Sequence, residues 1–208
     1  MAPQAYQADE FIPYDIEGPI HANSFLNSIV VPRPIAFVTT IGPGGMINAA
    51  PFSYFNMACT NPPMLSIAIE RRHGIRKDTS RNIAEVKEFV VNICSIDLAK
   101  AASIAGGDYP PETSEIDLAQ LSLIPSTEIS VPRIANSLAQ IECILFQIIE
   151  LGKDPTDLIL GEIVKVHVHK SILNNQGRVD FEKLNPLARL SGSTYAKLSD
   201  YFNIARGL

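Results

Sequence analysis

Runs of β-branched and aromatic residues, separated by short polar or glycine-rich breaks, dominate the first half of the chain. Residues 35–41 read IAFVTTI, a composition that packs well on a pleated surface and predicts a strand. Gly42-Pro43-Gly44-Gly45 then breaks the run, as a hairpin turn needing positive φ would. Residues 46–50 form the expected returning strand. MLSIAIE at 64–70 alternates apolar and small residues and predicts a third strand, and FVVNIC at 89–94 a further one. Residues 141–151 are ambiguous between strand and helix by period alone; the isoleucines and the glycine that follows favour strand. Residues 158–170 (LILGEIVKVHVHK) are the clearest strand, with Val164, Val166 and Val168 facing one way and Lys165, His167 and His169 the other.

Helical character is confined to shorter stretches. Residues 79–87 put Ile83 and Val86 on one face, 97–105 predict a second helix, and 114–119 a short third with Ser114 as its cap. GGDYPPET at 106–113 is a loop, and Asn174-Asn175-Gln176-Gly177 is turn chemistry. Residues 1–20 are an irregular or partly helical lead-in and 196–208 a polar tail, around what is expected to be one domain over 1–208. Many strands with short turns and few helices imply a mainly β fold, a closed or nearly closed barrel with helical decoration. Strands and helices do not alternate regularly, and GxGxxG is absent because position 47 is Ile, so a doubly wound dinucleotide fold is the poorer reading.

With 208 residues, 46% hydrophobic and 19% charged, the chain can bury a substantial core. The net charge of −5 argues against non-specific nucleic-acid binding, which needs a positive footprint. Cys59, Cys94 and Cys143 are widely separated, which fits a reducing compartment better than a disulfide framework. No signal peptide and no apolar run long enough for a bilayer are visible. The expectation is a cytoplasmic protein with no membrane or nucleic-acid partner.

Two segments carry candidate chemistry. Arg71, Arg72, Arg76 and Lys77 precede Asp78-Thr79-Ser80 at a helix start, where free backbone N–H groups and the helix dipole favour a phosphate. The plainer alternative is that Asp78 caps the helix and the arginines stay solvated. The second segment, NAAPFSYFN at 48–56, reads as a loop offering Asn48, Ser53 and Asn56, backbone N–H groups of Ala49 and Ala50, the stiffening Pro51, and Phe52, Tyr54 and Phe55 as apolar cover. A planar polar ring would lie there; the alternative is a hydrophobic loop whose aromatics enter the core. His167 and His169, two apart on a strand, lack an evident third metal ligand, so no metal site is assigned. His73 and Cys59 adjoin these segments and are expected to be a solvated loop histidine and an inert thiol. Asp108, Glu112, Glu115 and Asp117 form an acidic surface stretch.

PRPIAFVTT, NAAPFSYFN, NPPMLSIAI, RKDTSRNI, EFVVNICS and PLARLSGSTY occur in the order and spacing of the flavin reductase-like, FMN-binding split-barrel proteins, the group of flavoredoxin and the short-chain flavin reductases. The chain resembles this family over roughly residues 20–196. The resemblance implies a split β-barrel with Greek-key features, a homodimer, and FMN in a groove near the dimer interface. It places isoalloxazine contacts at Asn48, Ala49, Ala50, Pro51, Ser53, Phe55 and Asn56. A phosphate loop falls at Lys77, Asp78 and Thr79, and a first-strand approach to the cofactor at Arg33 and Thr39. A C-terminal element that closes over the flavin falls at Arg189 to Tyr195, with Ser193 and Tyr195 as its contacts; where similar proteins carry a glycine pair this chain has Ser191-Gly192. The implied activity is hydride transfer from NADH or NADPH through FMN to free flavin, a monooxygenase partner or another acceptor, with no side chain named as catalytic. The alternatives are a flavoredoxin-like electron carrier without efficient nicotinamide turnover, and a flavin-free ligand-binding barrel.

Overall fold

Alternation along the first strong β-run decides which face of the sheet is which. In the computed structural model, which describes residues 5–14, 25–110, 113–198 and 200–204, the strands are β1 (Arg33–Pro34), β2 (Ala36–Ile41), β3 (Ile47–Phe52), β4 (Phe55–Thr60), β5 (Pro63–Glu70), β6 (Glu88–Ile93), β7 (Leu123–Ile124), β8 (Arg133–Ile134), β9 (Ala139–Leu151), β10 (Thr156–Val168), β11 (Leu187–Arg189) and β12 (Tyr195–Lys197). The α-helices are α1 (Asp78–Val86), α2 (Ala99–Ala105), α3 (Glu115–Leu118) and α4 (Phe181–Leu184), and residues 25–29 form a further helical turn. Ala36 and Val38 of β2 point inward with Leu65, Ile67, Ile69, Phe89, Val91, Cys143 and Ile159. Ile35 and Phe37 point the other way, under Ala102 and Ala105 of α2 and Ile116 of α3. One strand thus serves two cores, each fully buried Ile, Leu or Phe contributing about 1.5–3 kcal/mol.

Seven strands form one antiparallel sheet in the order β3-β2-β6-β9-β10-β5-β4. Its two edge strands are consecutive in the chain, joined through Ser53-Tyr54. The sheet must therefore curl until its edges meet, yet among the described residues no ladder joins β3 to β4. The result is a barrel split along that seam. Register shifts at Leu160/Gly161 and Ile163/Lys165 in β10, and at Met57/Cys59 in β4, are the bulges that bend the strands round the curve. A small sheet, β1-β11-β12, stands apart from the barrel, and β7-β8 forms a two-stranded ribbon.

The hairpin turn is as expected, with Gly44 and Gly45 at φ 71° and 83°, and Ser114 caps α3 by accepting from the Asp117 N–H. The 97–105 helix begins as a 3-10 turn, Ile96–Leu98, before continuing as α2. Residues 48–56 are a correction: they are not a loop but the end of β3, a two-residue bend and the start of β4. The flanking Phe52 and Phe55 favour strand, and Pro51 is tolerated because β3 is an edge. Val166 is a second correction. It is 53% exposed, because the register shift at Ile163/Lys165 breaks the simple alternation, whereas Val164 packs against Val90, Ile129 and Val131. Half of the expected lead-in (residues 1–4 and 15–20), the following residues 21–24, Glu112, and residues 199 and 205–208 of the expected tail lie outside the described residues. No helix among the described residues is long and apolar enough to cross a membrane.

Two positions hold the barrel in ways that can be checked. A Cβ on Gly161 would overlap the Phe89 ring, and Phe89 is fully buried. Gly161→Ala is therefore expected to destabilise by about 1–3 kcal/mol through overpacking, measurable as a lowered urea midpoint. Glu142, fully buried in β9, accepts the backbone N–H groups of Thr127 and Glu128, both at 2.8 Å, the Thr127 hydroxyl and His167 Nε2. Burial alone would raise its pKa; these hydrogen bonds outweigh burial and hold it at about 2, from an ordinary 4.5. A depressed carboxylate contributes stability that is complete above its unfolded pKa and is lost as pH falls through its folded one. Part of the wild-type acid sensitivity between about pH 4.5 and pH 2 is thus expected to vanish in Glu142→Gln. That variant should also be about 1–3 kcal/mol less stable at pH 7, since the two N–H groups bond to different oxygens and the amide sets an NH2 donor against one of them. Thermal melts across pH read both effects.

Candidate functional site

Where the split barrel faces the small sheet, the chain leaves a cleft of about 1070 Å³. The barrel wall consists of Pro51 and Phe52 at the end of β3, Ser53 and Tyr54 in the seam bend, Ala68 and Glu70 of β5, and Lys77 at the start of α1. The small sheet contributes Arg33 from β1, Arg189 from β11, the turn Ser191-Gly192-Ser193, and Tyr195 from β12, while Ala102, Ser103 and Gly106 close the cleft from α2. Three cations, Arg33, Lys77 and Arg189, line it against one carboxylate, Glu70, in a protein of net charge −5. The cleft is thus a local positive field in an acidic molecule.

The basic loop divides into anchored and free charges. Asp157 of β10 is fully buried and accepts Arg71 at 2.7 and 3.2 Å, Arg76 at 3.2 Å and the Ser80 hydroxyl at 2.5 Å. Burial pushes its pKa up, but the hydrogen bonds from Arg71 and Ser80 and the charges of Arg76 and Arg71 hold it below the usual carboxylate range. Arg71 also reaches Glu150 at 2.6 Å, and Arg72 pairs with Asp108. The arginines are therefore tied down, unlike the solvated set that the plainer sequence alternative describes. Lys77 is left exposed on the cleft wall. It occupies the N-cap of α1 with no side-chain cap, so the first-turn N–H groups carry the positive end of the dipole without an internal acceptor from the cap side chain.

Of the sequence candidates, the cleft brings together Arg33, Pro51, Ser53, Lys77, Ser193 and Tyr195. The others stand behind or beside it. Thr39 is fully buried and donates to the Pro132 carbonyl at 2.7 Å. Asn48 is buried and donates to the Thr79 hydroxyl at 3.2 Å, bracing β3 against α1. Ala49 lies in the outer core, with its backbone N–H serving the Glu115 carboxyl. Ala50 is half-buried in β3. Phe55 packs against the barrel interior, and Asn56 is exposed with its Oδ1 turned to the Met57 N–H. Asp78 pairs with Arg81 at 2.6 Å in the first turn of α1.

Outside the cleft, His167 is engaged by Glu142, and His169 accepts from the Ser171 N–H at the start of a 3-10 turn. His73 is exposed, and Cys59 is half-buried away from the lining residues. Sequence reasoning missed Asn27, Glu70, Ser103 and Gly106. Only the last two had a visible signal, a helix followed by glycines. The Ser191-Gly192 departure is absorbed simply: the left-handed position falls on Gly192, at φ 54°, and Ser191 is not in that region.

Whether these residues suit a flavin mononucleotide can be tested on Arg33. Arg33 is 8% exposed. Nη1 donates to the carbonyls of Asn27 and Val30, Nη2 to that of Leu190, and among the described residues Nε has no partner. Among the described residues, no carboxylate neutralises it. A buried cation at a cleft wall with an orphaned donor suits an anionic or electron-rich planar ligand, and the open helix N-terminus beside Lys77 suits a phosphate. The residues present fit the group.

Residues 28–187 match the family described as flavin reductase like domain. Among solved structures, nitrilotriacetate monooxygenase component B from Bacillus cereus is similar at 38% identity, with 98% of this chain and 99% of that one covered and a TM-score of 0.86. The 2-nitrobenzoate 2-nitroreductase NbaA of Pseudomonas fluorescens follows at 31%, covering 98% and 96%, with a TM-score of 0.83. The uncharacterized protein YwrF of Bacillus subtilis strain 168 is 35% identical over 206 residues, 97% of this chain and 98% of the relative. With the split barrel, the positive cleft and these matches in hand, the chain belongs to the flavin reductase-like family of split-barrel proteins.

Proposed function

We propose that the protein is an FMN-dependent oxidoreductase that takes hydride from NADH or NADPH and delivers electrons to free flavin, to a partner monooxygenase or to another acceptor. The observation that carries this reading is the cleft itself, with an uncapped helix N-terminus and Lys77 on one wall and a buried, incompletely bonded Arg33 on the other. Its volume of about 1070 Å³ lies at the upper end of ligand sites, which run from a few hundred to a thousand, ample for a flavin. The flavin, when bound, supplies the two-electron chemistry.

The chain's own residues bind and orient. Lys77 and the first turn of α1 hold the phosphate. Pro51 and Ser53 frame the ring at the barrel seam, Arg33 supplies fixed positive charge, and Ser193 and Tyr195 close over it. Asn48, Thr79 and Thr39 act from behind, keeping β2, β3 and α1 in register. Two similar proteins, a monooxygenase component and a nitroreductase by their names, support an enzyme over a passive carrier.

We take the chain as one such unit working as a homodimer. The exposed apolar side chains Met57, Ile144, Phe146 and Val166 on β4, β9 and β10 support a second copy packing there. Three free thiols support a reducing, cytoplasmic setting.

The test is anaerobic titration of FMN-loaded protein with NADH and then NADPH, following flavin absorbance. Rapid bleaching by one donor is expected. Retained FMN that neither donor bleaches would replace the reductase reading with an electron carrier, and failure to bind FMN would remove both.

A further inference from the structure

We propose that Arg189, held by Tyr195 and set beside Arg33, forms an anion subsite in the cleft that seats a carboxylate or phosphate group of the second substrate, the molecule that exchanges electrons with the flavin. The inference rests on the flavin reading above and adds to it the charge of that substrate and the residue that reads it. Arg33 and Arg189 are direct cross-strand partners in the β1–β11 ladder. Like charges placed opposite each other in an antiparallel pair repel, and among the described residues neither guanidinium makes an ion pair with a carboxylate. The pair is therefore incomplete without an anion.

The two arginines share the work unequally. Arg33 is buried and gives both Nη atoms to carbonyls, which leaves Nε as its one orphan. Arg189 is half-buried on the cleft lining. Its described partner is Tyr195, whose hydroxyl accepts from Nη1 and whose ring centroid lies 4.5 Å from Cζ. A guanidinium has five N–H donors, so most of those on Arg189 remain for a ligand. The cation–π contact with Tyr195 fixes its plane in advance. The turn that brings Arg189 and Tyr195 together, closed by Thr194 N–H to Ser191 O and Leu190 N–H to Thr194 O, also places Ser191 and Ser193 on the lining.

Lys77 stands on the barrel wall, whereas Arg33 and Arg189 stand on the small sheet. Cationic groups on two separate elements suit two anionic groups: the flavin phosphate at Lys77, and another on the second molecule. Electron exchange stays balanced, because two electrons and two protons that leave reduced flavin convert an acceptor such as a quinone to its hydroquinone, and the anion on Arg189 takes no part in the bonds that change.

Binding to FMN-loaded protein, measured by calorimetry and by perturbation of the flavin absorbance, tests the subsite without turnover. The probes are benzoate, phenyl phosphate and the neutral isostere benzamide. At least one anion is expected to bind about tenfold or more tightly than benzamide; the better of the two names the group. Arg189→Gln is expected to erase that preference and Arg189→Lys to keep part of it, while FMN affinity falls by less than the affinity for the anion in both. Equal binding of benzoate, phenyl phosphate and benzamide, or an anion preference that survives Arg189→Gln, would overturn the subsite. So would a loss of FMN as large as that of the anion, which would make Arg189 a flavin contact. The same calorimetry on apoprotein separates the two readings: anion binding there with no FMN binding would sink the flavin reading and leave the subsite standing.

Discussion

Lys77→Ala is expected to weaken FMN binding by about 1.5–3 kcal/mol, roughly ten- to a hundredfold, and riboflavin binding hardly at all. The two ligands differ only in the phosphate, so the difference isolates the contact. Each of the other loop cations already has a carboxylate: Arg71 and Arg76 share Asp157, and Arg72 takes Asp108. Lys77 alone of the four lines the cleft, at the N-cap of a nine-residue helix that no side chain caps. Because Lys77 is exposed, the loss should shrink as salt rises, since the Debye length falls to about 3 Å at 1 M. Fluorescence titration of both ligands at low and high salt reads all of this. An equal loss for FMN and riboflavin would move the phosphate away from α1.

Most of the barrel was legible because its strands are written in local alphabet. IAFVTTI, the glycine turn and FVVNIC are strand, turn and strand on propensity alone. Residues 48–56 were misread for the opposite reason. Small residues, Pro51 and three hydrophilic positions look like a loop, and only tertiary position, at an edge beside an open seam, makes them strand. The site followed the same division. Lys77 and Pro51 could be placed because a helix start and a strand end have sequence signatures. Thr39 and Asn48 occupy the same neighbourhood but bond to Pro132 and Thr79 instead of facing the cleft, and nothing in a one-dimensional pattern tells the front of a strand from its back. Asn27, Glu70 and Ser103 reach the cleft from three elements that are remote in the chain. Asp157 is the clearest case of an unreadable role: an acidic residue at a strand start looks solvated, yet the β5–β10 pairing buries it completely and turns it toward the basic loop.

That burial gives Asp157→Asn the largest expected effect on stability, a loss of about 3–5 kcal/mol, or roughly 10 °C in Tm for a chain of this size. An amide in its place cannot accept from Arg71, Arg76 and Ser80 together, and it presents a donor to two guanidinium groups. The pH dependence has a defined sign. Asp157 titrates below its ordinary 3.8, so its contribution is complete above that value and disappears as pH falls through the folded pKa; the variant should lose that part of the wild-type acid transition. Arg71 and Arg76 bracket the loop that leads to Lys77, and Ser80 lies in the first turn of α1. The same substitution should therefore loosen the phosphate end of the cleft and lower FMN affinity along with Tm. Lys77→Ala, an exposed change, should lower FMN affinity while leaving stability within about half a kcal/mol of wild type. Thermal melts without ligand, set beside FMN titrations of both variants, separate the residue that places the loop from the residue that uses it. An Asp157→Asn protein of unchanged Tm would show that the buried carboxylate does not anchor the loop.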